Sequence, residues 1–187
     1  MHQSQKPLVW ENPAVIQINK ENGHALAPVY QSAKAAMAKT APPFRLLLNG
    51  SWKFYWHKGA ATFPEGLENP TLDDSAWGNI QVPGVWELQG YGRPCYYANS
   101  YPQAIGTSKK HIPQISHGLQ EMGVYRRHFT LPVNFESRRV FLHFGAAKAA
   151  LEVYLNGRFL GYSQGSMTPH EFDATSLLQP GENQLTA

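Results

Sequence analysis

From Phe44 onward the chain is written in short apolar runs separated by turn residues, and this punctuation limits what it can fold into. Asn49-Gly50 divides "FRLLL" from "SWKFYWH", and Asn156-Gly157 divides "ALEVYL" from "RFLGYSQ". Pro83-Gly84 and Pro180-Gly181 stop other runs. Runs this short, bounded by such dipeptides, read as strands, and Asn-Gly between two of them is the strongest local hairpin signal. The sequence therefore predicts hairpins at both Asn-Gly pairs. Side chains two apart share a strand face. Trp52, Phe54 and Trp56 fall on one face, as do Tyr125, Phe129 and Leu131, and Leu151, Val153 and Leu155. "RRVFLHFG" (138–145) is nearly continuous in apolar character and reads as a central strand covered on both sides. Brief strands are expected over 79–82 and within "HEFDATSLLQPGENQLTA", which gives a short strand, a loop at Pro180-Gly181 and the start of another strand.

Residues 1–43 have another texture. Prolines break "ENPAV" and "LAPVY", and the helix formers of "YQSAKAAMAKT" (30–40) make a helix that is marginal without packing. The chain divides into an N-terminal arm, 1–43, read as an assembly segment, and an all-β body, 44–187. About eight short strands with almost no helix predict a β-sandwich of the jelly-roll kind. "NQLTA" has only begun a strand when the sequence ends, so the body is expected to be truncated at its C-terminus.

Composition excludes several function classes. The 187 residues are 42% hydrophobic and 12% aromatic, which is a globular balance for one domain. No apolar run reaches the roughly 18 residues of a membrane span, and "MHQSQKPLVW" shows no secretory signal. The net charge of +3 is scattered in pairs such as Arg126-Arg127 and Lys109-Lys110, without the basic stripe a nucleic-acid partner requires. Cys95 is the single cysteine, so no intrachain disulfide forms, and the reading leans to the cytoplasm. His111 and His117 lie six apart in a proline-flanked segment and match no metal-ligand spacing. Asp73-Asp74 precedes Trp77 in a Ser-containing turn, where capping is expected. Glu171 and Asp173 share a strand face, where solvation of a strand end is expected.

"CYYANSYP" (95–102) sets an amide among phenol rings. Tyrosines offer flat apolar faces with a polar tip, and Asn offers two donors and an acceptor, a combination suited to a polyhydroxylated ring. The same residues also serve as half-buried core and turn. From residues alone, the chain is a carbohydrate-binding or protein-interaction β-domain.

The order of "WENPAVIQINK", "LNGSWKFYW", "WGNIQVPGVWELQGYGRPCYYANSYP", "GVYRRHFTLP", "RRVFLHFGAAKAALEVYLNGRFLGYSQGSMTPHEFDAT" and "PGENQLT" resembles the N-terminal sugar-binding domain of glycoside hydrolase family 2. The resemblance is to the large bacterial β-galactosidases and covers nearly the whole chain. It implies a galactose-binding-domain-like jelly roll in a retaining β-galactosidase, beside a (β/α)8 barrel that holds both catalytic glutamates. This chain lacks that barrel and is expected to be inactive alone. The family's "YTN"-type motif falls on Tyr97-Ala98-Asn99, so Asn99 takes the contact to galactosyl hydroxyls, with Tyr96, Tyr97 and Tyr101 supporting its loop. The implied partners are a β-galactoside, the remaining domains and further copies of the chain. Relatives are cytoplasmic or, in some bacteria, periplasmic. Magnesium and sodium ions are implied for the full-length enzyme and none for this fragment. The metal-binding arm of some members matches weakly at Asn12 and Gln164, because Val9 replaces an aspartate and hard cations want anionic oxygen. The equivalent domain of a β-glucuronidase or β-mannosidase, and an independent carbohydrate-binding or adhesion module, are the alternatives.

Overall fold

The structure, a computed structural model, describes residues 9–25, 27–59, 62–94 and 120–187. These contain nine strands: β1 (Gln17–Ile18), β2 (Gly50–Lys58), β3 (Gly78–Val82), β4 (Glu121–Thr130), β5 (Phe141–Phe144), β6 (Ala150–Leu155), β7 (Arg158–Gln164), β8 (His170–Asp173) and β9 (Glu182–Thr186). An antiparallel seven-stranded sheet runs β1-β7-β6-β9-β4-β2-β3, and a two-stranded sheet pairs β5 with β8. The chain is thus an all-β sandwich, and its one α-helix among the described residues is the short α1 (Ala33–Met37) in the arm. Ser32 caps α1, but none of its residues is buried, as its marginal sequence predicts.

Between the sheets lie Trp52, Phe54, Ile80, Phe129, Leu151, Val153, Leu155 and Leu185 from the large sheet, and Leu142 and Phe172 from the small one. Tyr125 and Leu131 pack against them, so the expected inward faces of β2, β4 and β6 hold. Asn156 and Gly157 (φ 53° and 75°) form the tight β6–β7 turn in the doubly left-handed conformation that Asn-Gly favours.

Two expectations are overturned. Asn49-Gly50 makes no hairpin: 44–48 form no strand, and Gly50 (φ 122°) instead opens β2, which pairs with β3 and β4. The apolar run before it is drawn elsewhere, with Phe44 edge-on to Phe135 at 6.5 Å and under the Arg138 guanidinium at 3.7 Å. Nor is 138–145 a central strand covered on both faces. β5 spans only Phe141–Phe144 in the small sheet, with Leu142 buried and Phe141 exposed. Its apolar continuity comes from Arg139 stacking over Phe141 at 4.8 Å, which shelters one side of an outward ring.

The arm joins the body through backbone pairing. Gln17 and Ile18 align with Ser163 and Tyr162 on β7, Lys20 bridges Phe172, and Glu21 N–H donates to Glu171 C=O at 2.9 Å. Across the sheets, His170 of β8 and Ser163 of β7 are fully buried and joined Nδ1 to Oγ at 2.7 Å.

The outer face of the large sheet is covered by the chain leading from β2 to β3, and Arg126 holds it there. This guanidinium is 1% exposed. Its Nη1 donates to Leu72 C=O and the Asp74 carboxylate, each at 3.1 Å, and its Nη2 to the carbonyls of Leu67 (2.7 Å) and Asn69 (3.1 Å). The Trp77 ring lies 4.6 Å from it. Removing the cation would leave carbonyls and a carboxylate poorly satisfied. Arg126→Ala is therefore expected to lower unfolding free energy by about 3–5 kcal/mol in urea titrations. Asp74→Asn, at a partly exposed site, should cost less than about 1.5 kcal/mol.

Burial, and next the nearby Lys20, lowers the pKa of His170 below its ordinary value. The unfolded chain then takes up this proton more readily than the folded one. Stability tied to neutral His170 is complete above about pH 6.5 and lost as pH falls through that value and the lower folded one. Wild type is expected to lose more stability than His170→Gln between about pH 7.5 and pH 5, compared by urea midpoints. Equal losses would remove His170 as the cause.

Candidate functional site

The described chain leaves the sandwich at Pro94 and resumes at Gln120, and the two ends meet. Gly92 (φ 70°) lies directly against the Glu121 carboxylate. Before this exit, β3 stops at Pro83-Gly84, and Trp86–Gln89 form one 3-10 turn. The turn ends at Gly90, whose left-handed backbone (φ 94°, ψ 10°) only glycine adopts without strain. Tyr91 N–H closes back on Trp86 C=O at 3.1 Å.

Aromatic packing seats this stem on β2 and β4. The Phe54 ring lies 6.0 Å from Trp86, 4.6 Å from Tyr91 and 4.7 Å from Tyr125. Gly123 leaves the room they need, because a Cβ there would fall 2.6 Å from both Phe54 and Trp86. Burial, and next Glu87, push the Tyr125 phenol up to about 12, so it stays a neutral donor throughout the physiological range. Trp56 Nε1, Trp86 Nε1 and Gln120 Oε1 are buried without a hydrogen bond among the described residues. The site is an aromatic base with polar tips and the carboxylates of Glu87 and Glu121.

Asn99, Tyr96, Tyr97 and Tyr101 lie outside the described residues. Asn12 and Gln164 are brought to one side of the fold by the β1–β7 pairing, where Gln164 N–H donates to Ile16 C=O at 3.1 Å. Asn12 Oδ1 accepts from Ala14 N–H at 3.1 Å, and Gln164 Nε2 donates to the Tyr162 hydroxyl. Among the described residues no three His, Cys, Asp or Glu side chains are grouped to hold a metal.

The carboxylates singled out in the sequence have structural partners. Asp73 accepts from Ser75 N–H at 2.9 Å as a turn cap, and Asp74 meets Arg126. Glu171 pairs with His143 at 3.0 Å and His24 at 3.4 Å. Asp173 is held down to about 2, first by the Thr175 hydroxyl and then by Arg139 at 2.8 Å. Solvation alone does not describe these last two. Sequence reasoning missed Arg126, whose signal was a charge alternating with Tyr125 on a strand of known inward face. It also missed Gln89, which nothing in a polar turn marks as special.

A broad open concavity of about 3720 Å³ has Trp10, Arg93, Glu121 and Lys148 among its lining residues. Small-ligand pockets measure roughly 300–1,000 Å³, so its size does not mark a single sugar's seat.

An antiparallel sandwich whose core aromatics continue into a loop-bearing rim defines the class of β-sandwich domains that carry their sites on loops. Comparison narrows it. Residues 46–187 match the family model for "Glycosyl hydrolases family 2, sugar binding domain". A β-galactosidase of Psychromonas ingrahamii is 38% identical over 177 residues, covering 95% of this chain and 16% of the relative. One from Priestia megaterium is 34% identical, covering 93% and 17%. Among solved structures, a Bifidobacterium dentium β-glucuronidase complexed with coumarin-3-O-glucuronide superposes with TM-score 0.53 at 30% identity, over 74% of this chain and 18% of that one. Bacteroides uniformis β-glucuronidase 2 superposes with TM-score 0.52 at 26% identity, over 74% and 14%. The chain belongs to the sugar-binding domain family of glycoside hydrolase family 2. It spans about a sixth of the length of those two β-galactosidases.

The Gly123 contact generates a stability test. Gly123→Ala should push Phe54 and Trp86 apart and cost about 1–3 kcal/mol in chemical denaturation, the scale of overpacking. A neutral substitution would show that the aromatic base yields.

Proposed function

We propose that this chain is the N-terminal sugar-binding domain of a retaining β-galactosidase that acts on terminal non-reducing β-D-galactosides. The observation that carries this reading is the coverage. β-Galactosidases match about 95% of the chain, which takes in most of the arm, whereas the β-glucuronidase structures cover 74%. In this reading, residues 95–102 supply a loop to a sugar site completed by a barrel domain elsewhere in the polypeptide. The barrel's two glutamates act as nucleophile and acid/base. The Asn99 amide contacts galactosyl hydroxyls, and Tyr96, Tyr97 and Tyr101 support its loop. The arm supports assembly of copies in the cytoplasm, and magnesium and sodium belong to the full-length enzyme.

The likeness to β-glucuronidase structures favours a second reading, in which the same domain serves a uronic-acid site. Aryl β-galactoside and aryl β-glucuronide hydrolysis, measured side by side on the enzyme carrying this domain, separates the two. Preference for the glucuronide would overturn the first.

Asn99→Ala in that enzyme should remove one or two hydrogen bonds of about 0.5–1.5 kcal/mol each. The expected loss in kcat/KM is roughly ten- to a hundredfold, shared between kcat and KM if the contact tightens as the ring distorts. Thermal stability should stay at the wild-type value. Unchanged kinetics would take Asn99 out of the site.

A further inference from the structure

β3 is the last strand of the seven-stranded sheet, so one edge of its backbone has no neighbouring strand among the described residues. Edge groups of this kind need cover. At Gln81 a side chain supplies it. Gln89 Oε1 accepts from Gln81 N–H at 2.8 Å, and Gln89 Nε2 donates to Gln81 C=O at 3.0 Å. One carboxamide thereby reproduces the donor–acceptor pair of a missing strand. Two residues earlier on the same edge, the Tyr91 hydroxyl donates to Asn79 C=O at 3.3 Å.

Two glycines make room for these contacts. A Cβ on Gly84 would fall 2.5 Å from Gln89 Nε2 and 2.6 Å from Gln81 O, and a Cβ on Gly78 would strike the Tyr91 hydroxyl. Gly84 carries no left-handed backbone, so its lack of a side chain is explained by the close approach of the Gln89 amide and of Gln81 C=O.

We infer that Gln89 is a positioning residue: its amide, seated in the space left by Gly84, locks the stem of residues 85–94 to the edge of β3 and so sets where the chain leaves the sandwich. The inference rests on the reading that this exit leads toward a sugar site. Both bonds are open to water, which replaces them when they are lost, so they add little to global stability. Two simultaneous bonds at one amide do fix direction, and direction is what an active-site contribution requires.

The test uses Gln89→Ala and the shape-conserving Gln89→Glu. Amide hydrogen exchange on the 187-residue chain reads the anchor itself and needs no activity. The Gln81 amide should exchange at least about tenfold faster in Gln89→Ala, with the unfolding midpoint unchanged. In the enzyme carrying this domain, kcat/KM is measured on whichever aryl glycoside the wild type hydrolyses. Each variant should lose about tenfold, because Gln89→Ala removes both bonds and Gln89→Glu sets a carboxylate oxygen against Gln81 C=O. Unaltered exchange or kinetics within about twofold of wild type would each overturn the assignment. A wild type that hydrolyses a different glycoside would instead overturn the galactosidase reading and leave this one to be judged on that substrate.

Discussion

The Phe54 ring is where the sandwich and its candidate site become one structure. It is 1% exposed in the inter-sheet core, and Trp86, Tyr91 and Tyr125 all pack on it. Aromatic pairs in tilted and edge-on geometry add about 0.5–1.5 kcal/mol each beyond the area they bury. The stem after β3 is therefore held by the same ring that fills the core, and neither is placed without the other. Gly123 is the condition for this arrangement, since any side chain there would occupy the space the rings need.

The opposite face of the same two strands is organised by charge. Arg126 follows Tyr125 in β4, so its side chain points outward, yet it is among the most buried in the molecule. Loop carbonyls from Leu67, Asn69 and Leu72 and the Asp74 carboxylate replace the water it gave up. A buried charge needs such partners, and here they meet both Nη atoms while Nε has none among the described residues. Between them, Tyr125 and Arg126 let one strand define both layers around it: an apolar core on one side and a polar, loop-covered surface on the other.

The functional reading draws on both comparisons and chemistry. Family membership establishes a sugar-binding domain, and the site's aromatic rims with polar tips suit a hydroxylated ring. Its carboxylates at Asp73, Asp74, Glu171 and Asp173 are held by turns, histidines and arginines within the fold. Those partners give each of them a structural role.

Local signals determined much of this protein. Alternation in "SWKFYWH" and "LEVYL" set the inward faces of β2 and β6, because the strand period of two is a property of the backbone. Asn156-Gly157 set a hairpin because that dipeptide tolerates positive φ at both positions. The motif order identified the family. Tertiary structure decided what local signals cannot carry. Asn49-Gly50 has the same dipeptide chemistry, but its upstream run found a better partner in Phe135 and Arg138 than in β2. β5 reads as a two-sided core strand, but one of its rings is sheltered by an arginine that the sequence lists only as charge. Arg126 and Gln89 owe their roles to backbone groups 54–59 and 8 residues away in the chain. Carbonyls and amides are identical at every position, so only the folded path reveals which of them a side chain will meet.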